Sequence, residues 1–98
     1  MRRKPVIWAE EVSPQLSQLI KKKKCAILPI GSTEQHGSHL PVGTDHINVW
    51  AIAKKVAKLV NGIVLPLIPY GCSSEHFPRS GTLSLNPQTL KLIIKEII

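Results

Sequence analysis

The stretch from Cys25 to Asp45, CAILPIGSTEQHGSHLPVGTD, decides the fold because it passes from an apolar segment through a glycine-rich loop towards a helix. Residues 25–30 are continuously apolar, which is typical of a strand buried in a parallel sheet. The apolar residues between Ile47 and Val60 recur with helical spacing, and Asn61-Gly62 then stops that helix. The stretch therefore predicts the strand, loop and helix of a βαβ unit.

The flanking segments extend this alternation. Ser13-Pro14 begins a first helix that ends in the lysines at 21–24, and residues 63–68 predict a second buried strand in spite of Pro66. Asn86-Pro87 caps a third helix. The order is helix, strand, loop, helix, strand, loop, helix. It indicates an α/β fold with a parallel sheet, in which both loops follow the carboxyl ends of strands.

This α/β core is expected to be incomplete. Two strands leave sheet faces and edges uncovered, and the last helix runs to Ile98 without a stop signal. We therefore expect residues 1–98 to form a single α/β domain that either is truncated or completes its core with another chain, and we expect a homo-oligomer.

The glycine-rich loop carries three residues that suit a metal ion: Glu34, His36 and Asp45. Imidazole nitrogen and carboxylate oxygen are preferred ligands of zinc, manganese and iron. Glu34 and His36 are two positions apart, so in extended backbone both side chains point to one side, and a carboxylate at Asp45 could bridge two ions. The alternative is structural, with Asp45 at a helix N-terminus and the other two bonded within a surface loop.

The second loop holds Ser73, Ser74, Glu75 and His76. The two hydroxyls and the imidazole could contact a substrate, or His76 could support a metal-bound carboxylate. The alternative is turn chemistry, with the hydroxyls bonded to nearby backbone and Glu75 on the surface.

The composition restricts the partners and the location. The net charge is +7, but the lysines lie at a helix end and on solvated helix faces without interleaved aromatic residues, so nucleic acid is not the expected partner. The basic start, Met1 to Pro5, is not followed by an apolar signal core, and no segment is long enough to span a membrane. We expect a cytoplasmic protein. Cys25 is expected to be a small buried apolar residue. For Cys72 a reactive or ligand role is the less favoured interpretation.

Two sets of motifs resemble the creatininase (creatinine amidohydrolase) family from about Ile27 to Ile98. The first set is Gly31-Ser32-Thr33-Glu34-Gln35-His36-Gly37, His39-Leu40-Pro41 and Thr44-Asp45. The second set is Pro69-Tyr70-Gly71, Ser74-Glu75-His76 and Gly81-Thr82-Leu83-Ser84-Leu85. The resemblance implies the N-terminal part of a three-layer fold that hydrolyses carbon–nitrogen bonds with a dinuclear metal centre.

In the family, the positions that match Glu34 and His36 each bind one metal, and the position that matches Asp45 bridges both. The resemblance also places Ser73, Ser74 and His76 at the substrate, which would be a small amide such as a cyclic amide or a formamide. Two departures stand out. Family members are more than twice as long and take further ligands from a later loop, and residues 77–82 here read Phe-Pro-Arg-Ser-Gly-Thr, where many relatives have Phe-Pro directly before Gly-Thr.

Three hypotheses stay open. The first is a metal-dependent amidohydrolase whose missing ligands come from elsewhere, including a partner chain. The second is an inactive, degenerate creatininase-like domain that self-associates, because three ligands do not fill two metal sites. The third is a basic nucleic-acid-binding module, whose binding would be salt-sensitive and independent of metal.

Overall fold

A computed structural model describes residues 4–77 and 79–98, so the basic Met1–Arg3 start and Pro78 of the second loop lie outside the described residues. In chain order the described elements are the following: β1 (Val6–Ile7), a 3-10 turn (Trp8–Glu10), α1 (Ser13–Lys22), β2 (Cys25–Ile27), α2 (Thr44–Val60), β3 (Gly62–Val64), a 3-10 turn (Ser74–His76) and α3 (Pro87–Ile97). The predicted α/β alternation is confirmed.

The described strands form a parallel sheet in the order β1-β3-β2. Ile63 of β3 pairs with Val6 on one side and with Ala26 on the other. All three residues of β3 are buried, as expected for a central strand. The α2 helix joins β2 to the neighbouring parallel strand β3, which is the predicted βαβ connection.

The apolar core lies between α2 and this sheet. Ala53 and Ala57 of α2 pack with Val64, and Ile27 and Trp50 lie against them half-buried. The two alanines lie one helical turn apart and present small side chains, so the helix can approach the strands closely. The predicted helix is confirmed, but of the apolar residues that indicated it only Ala57 is buried and Trp50 half-buried. The others are exposed: Ile47, Ala51, Val56 and Val60.

The predicted strands were too long, and one strand was missed. Residues 28–30 and 65–68 lie outside β2 and β3, so Pro66 interrupts no strand hydrogen bonding. Val6–Ile7 supplies the third strand, which a two-residue apolar segment does not reveal by periodicity. The prediction that Cys25 is buried was wrong: its residue is exposed because β2 is the last strand on its side of the described sheet.

The predicted helix ends are confirmed. The lysine run closes α1, where Lys23 Nζ donates a 3.0 Å hydrogen bond to Asn61 Oδ1. Asn61 ends α2 in the left-handed region with φ of 57°, a conformation that asparagine tolerates. The side-chain oxygen of Asn86 accepts a 2.9 Å bond from the backbone N–H of Gln88, which caps α3.

The described chain divides into two compact units. The first contains residues 4–29 and 48–67 and holds the sheet, α1 and most of α2. The second contains residues 30–47, 68–77 and 79–98 and holds both loops, the first turn of α2 and α3. Within the described residues, none of the helices combines the length and the apolar character that crossing a membrane requires.

Candidate metal centre

Backbone hydrogen bonds hold the glycine-rich loop within the second unit. The N–H of Gly31 donates to the carbonyl of Ile68 over 2.9 Å, and the N–H of Leu83 donates to the carbonyl of Thr33 over 2.9 Å. Thr33 Oγ1 also donates to the carbonyl of Pro69 over 2.7 Å. The second loop therefore supports the first loop directly on both sides of Ser32.

The loop also lies tightly against the first turn of α2. A Cβ atom placed on Gly31 would lie 2.6 Å from Cα of His46, a backbone atom, so no larger residue fits without displacing the helix. This close approach brings Asp45, in the first turn of α2, beside the loop. The glycine matters here for its size, because it allows the two backbones to meet.

The structure brings Glu34, His36 and Asp45 together. One ligand atom from each lies within 4.8 Å of the others, and all three residues are partly buried. Two carboxylates and one imidazole form a donor set that suits a divalent transition metal. The predicted convergence of these side chains is thus present in the geometry, although their role as ligands stays a prediction.

The ring of His36 is oriented for metal binding. Its Nδ1 lies 3.1 Å from the backbone carbonyl oxygen of Glu34, and because a carbonyl only accepts, Nδ1 carries the hydrogen in the neutral ring. The unprotonated Nε2 then faces Oδ1 of Asp45 at 3.5 Å. This is the arrangement found for metal-binding histidines, in which one nitrogen is fixed by backbone and the other is free for the ion.

The surroundings of Asp45 favour the ionised form of its side chain. A 2.8 Å hydrogen bond from Ser32 Oγ to Asp45 Oδ2 is the main cause that lowers the pKa of Asp45. The hydrogen bond to the Glu34 carbonyl is the main cause that raises the pKa of His36, with a further contribution from the Asp45 charge. Asp45 also lies in the first turn of α2, where a negative charge stabilises the helix, so the structural interpretation of this residue describes the same geometry.

Replacing Ser32 with alanine is expected to raise the pKa of Asp45 towards its ordinary value of 3.8, because the hydroxyl that stabilises the carboxylate is lost. Asp45 is the only aspartate in the chain, so the pH titration of one ¹³Cγ signal in aspartate-labelled protein measures this pKa. The exposed Ser38→Ala is the control and should leave the titration unchanged.

The lowered pKa of Asp45 also determines how the folding stability of Ser32→Ala should depend on pH. In the parent, the stabilisation from the Asp45 carboxylate is present above the unfolded-state pKa and is lost as the pH falls through the folded-state pKa. Ser32→Ala should therefore lose less stability over that acidic interval than the parent. An Asp45 titration that is identical in the parent and in Ser32→Ala would contradict the assigned role of the hydroxyl.

The second loop places its predicted substrate residues differently from one another. Ser73 is 1% exposed, and its backbone N–H donates to Ser84 Oγ over 2.7 Å, whereas Ser74 is exposed in a 3-10 turn. His76 is half-buried, with Nε2 3.6 Å from Glu34 Oε2 and 3.7 Å from Glu75 Oε1. The proximity of His76 to a candidate ligand fits the supporting role that we predicted as one of its options.

A second group of ligand-type side chains shares Glu34 with the first. Oxygen atoms of Glu34 and Glu75 and a ring nitrogen of His76 also lie within 4.8 Å of one another. Neither group of described residues includes Cys72, which is exposed. Glu34 could therefore bind a metal ion together with either group. The hydrogen bonds of His36 and His76 help to decide which group binds the ion.

Gln35 and Thr82 belong to the site but were not singled out from the sequence. The N–H of Gln35 donates to Thr82 Oγ1 over 3.0 Å, and Gln35 Nε2 lies 2.9 Å from Nδ1 of His76. Thr82 is 8% exposed. The only sequence feature that could have indicated Gln35 is its position directly between Glu34 and His36.

The chain matches known proteins over nearly its whole length. The family model named Creatininase, described as creatinine amidohydrolase, matches residues 9–98. A mycofactocin precursor peptide peptidase of Mycobacterium ulcerans (strain Agy99) is 36% identical over 104 residues, covering 97% of this chain and 41% of the relative. Creatinine amidohydrolase of Pseudomonas putida is 37% identical over 79 residues, covering 74% of this chain and 30% of the relative.

A solved structure gives the same result for the fold. A creatininase mutant described as Zn-Zn type superposes with a TM-score of 0.84 at 27% sequence identity, covering 97% of this chain and 39% of that chain. The chain thus spans about two fifths of the length of the mycofactocin relative and of this structure. The α/β fold, the motifs and the family match together show that the chain belongs to the creatininase family.

Proposed function

We propose that this chain contributes Glu34, His36 and Asp45 to a divalent-metal centre and that the protein hydrolyses carbon–nitrogen amide bonds. The observation that carries the proposal is the convergence of these three side chains within 4.8 Å, with Nε2 of His36 free to bind an ion. Zinc, manganese and iron all suit this donor set. A related creatininase structure described as Zn-Zn type supports two ions. Glu34 and His36 would then each hold one ion, and the carboxylate of Asp45 would serve both.

Each of these residues has a defined task in the proposed reaction. When bound, the metal ions would supply Lewis acidity, which polarises a carbonyl and lowers the pKa of water. Ser32 and the first turn of α2 keep Asp45 charged and in place, and the Glu34 backbone orients His36. Three side-chain ligands are fewer than two ions require, so the remaining ligands must come from other residues or from a partner chain.

The substrate would be a small amide. The relatives include a protein named for creatinine and one named for a precursor peptide, so cyclic amides, formamides and short peptides all belong in the test. We propose that Ser73, Ser74 and His76 line the substrate side. The exposed Ser74 and the half-buried His76 can reach a ligand through their side chains, whereas Ser73 is buried and would act mainly by shaping the loop.

One observation supports self-association, which the second candidate, an inactive creatininase-like domain, requires. Large apolar side chains are exposed on two helices, with Leu59 of α2 at 85% and Leu92 of α3 at 56%. Exposed apolar surface of this kind marks association sites in folded proteins. A homo-oligomer would also hold one candidate metal site from each chain in the same assembly. Self-association is compatible with either candidate, so catalysis must be tested separately.

The experiment measures hydrolysis and sedimentation on the same preparation. Protein stripped with chelator is reloaded with zinc, manganese or iron and assayed with creatinine, formamides and short peptides, while analytical ultracentrifugation gives the oligomeric state. Metal-restored hydrolysis that His36→Ala abolishes supports the enzyme. An oligomer that binds metal but hydrolyses none of these amides supports the inactive alternative, and salt-sensitive nucleic-acid binding without metal would overturn both.

A further inference from the structure

The side-chain amide of Gln35 has a fixed orientation. Its Oε1 accepts a 3.1 Å hydrogen bond from the backbone N–H of Gly37. A backbone N–H only donates, so the amide atom that faces Gly37 must be the oxygen. The NH₂ group is then the end that lies 2.9 Å from Nδ1 of His76. Gln35 therefore donates a hydrogen bond to this histidine.

This orientation determines the tautomer of the neutral His76 ring. Because Nδ1 accepts from Gln35, it has no hydrogen, and the ring hydrogen must sit on Nε2. Nε2 is the atom that faces Glu34 Oε2 at 3.6 Å and Glu75 Oε1 at 3.7 Å. These distances exceed those of a hydrogen bond, so the contact is an electrostatic attraction between the N–H and the carboxylates.

His36 and His76 are therefore in opposite tautomers. In His36 the hydrogen lies on Nδ1, bonded to the backbone of Glu34, and Nε2 is free. In His76 Nδ1 is engaged by Gln35 and Nε2 carries the hydrogen. A metal ion needs an unprotonated ring nitrogen that is free of other partners. His36 offers Nε2, whereas the unprotonated Nδ1 of His76 is occupied by the hydrogen bond from Gln35.

We propose that Gln35 is a positioning residue that holds His76 in the Nε2–H tautomer, so that His76 supports the carboxylate of Glu34 and does not bind the ion itself. The inference deepens the proposed function and rests on it for the identity of the metal site. It assigns the ion to the group with His36 and Asp45, and from the other group it assigns only His76 to the support of Glu34.

The test reads the tautomers in metal-free protein. Histidine-labelled chain is studied by ¹⁵N NMR at a pH above the titration of all four imidazoles, and signals are assigned with His36→Gln and His76→Gln. We expect an unprotonated Nδ1 with a protonated Nε2 for His76, and the reverse for His36. A protonated Nδ1 in His76 overturns the inference.

One variant of Gln35 and a matched control give a second test of the His76 tautomer. Gln35→Glu keeps an acceptor for Gly37 but cannot donate, so it should move the ring hydrogen of His76 to Nδ1 or give the doubly protonated ring. Gln18→Glu makes the same charge change on the exposed side of α1 and should leave His76 unchanged. An unchanged His76 in folded Gln35→Glu overturns the inference. Should this variant not fold, the parent spectrum still decides.

Zinc affinity separates this inference from the proposed function. Gln35→Met removes both amide contacts and should weaken zinc binding about 10-fold, the lower end of the effect of lost supporting contacts at metal sites. Gln18→Met is the matched control and should bind zinc like the parent. Zinc binding by the parent that is unaltered in Gln35→Met overturns the positioning role while the metal site stands. Absence of zinc binding in the parent rejects the metal site, and the tautomer spectra then decide the role of Gln35.

Discussion

Asp45→Ala is expected to lower the zinc affinity of the chain by more than about 100-fold, because the loss of a direct ligand should exceed the 10–100-fold effect of losing a supporting contact. Asp45 lies within 4.8 Å of both Glu34 and His36 through its ligand atom, so its removal leaves two donors where an ion requires at least four. The measurement is a zinc titration by calorimetry on protein freed of metal, and Asp45→Asn, which keeps the size of the side chain, should show most of the same loss.

Glu75→Ala is the matched control for this result. It removes a carboxylate of the alternative group, which is 68% exposed through its side chain, and should leave the zinc affinity within about twofold of the parent because surface charges contribute little. A parent-like affinity in Asp45→Ala together with a large loss in Glu75→Ala would move the ion to the other group and contradict our assignment.

Gly31→Ala is expected to destabilise the chain by about 1–3 kcal/mol or more, the range for overpacking a tight contact. The new methyl group would lie 2.6 Å from Cα and 2.7 Å from Cβ of His46, so the first turn of α2 must move. Asp45 moves with that turn, and zinc affinity should fall as well. Denaturant unfolding measures the first effect, and the zinc titration measures the second.

Gly43→Ala provides a graded comparison. A Cβ at this position would lie 2.7 Å from Nε2 of His46, the far end of a side chain that can rotate away. The substitution should therefore cost less stability than Gly31→Ala, and adding His46→Ala should relieve it. The same second change should not relieve Gly31→Ala, because the clash there is with atoms that alanine retains. Relief of both variants would show that the backbones are not in close contact at Gly31.

Much of the fold follows from local sequence rules. Four signals stand where the structure begins or ends a helix: Ser13-Pro14, the lysines at 21–24, Asn61-Gly62 and Asn86. Asn86 caps its helix as predicted, whereas the predicted N-cap Ser13 is the first helical residue and makes no capping bond. These signals act over a few residues, so the sequence shows them directly. The βαβ connection followed from two continuously apolar segments and the helical spacing of apolar residues between them.

The parts that were missed depend on contacts distant in sequence. Strand β1 exists because Val6 and Ile7 pair with Ile63 and Val64, more than fifty positions away, and two residues carry no period of their own. Cys25 was expected to be buried because its segment is apolar, but the place of β2 at the edge of the described sheet exposes it. Sheet order is a tertiary property that strand composition does not encode.

In the candidate site, too, local sequence indicated some residues and missed one that depends on a distant contact. Ligand chemistry and the two-residue spacing indicated Glu34 and His36, and carboxylate chemistry indicated Asp45 as a bridging candidate. The resemblance to creatininases implied the same three residues. Gln35 was missed because its contribution depends on a hydrogen bond to His76, which is 41 positions away. Residue type alone did not distinguish this amide from an exposed one.

An anomalous difference map, collected at the zinc absorption edge from crystals grown with zinc, would locate the ion directly. We predict zinc density about 2.0–2.2 Å from His36 Nε2 and from a carboxylate oxygen of Asp45, and density at the same distance from Glu34 and Asp45 where the second ion binds. Density bound to His76 and Glu75 instead, or none near Asp45 in zinc-containing crystals, would contradict the account.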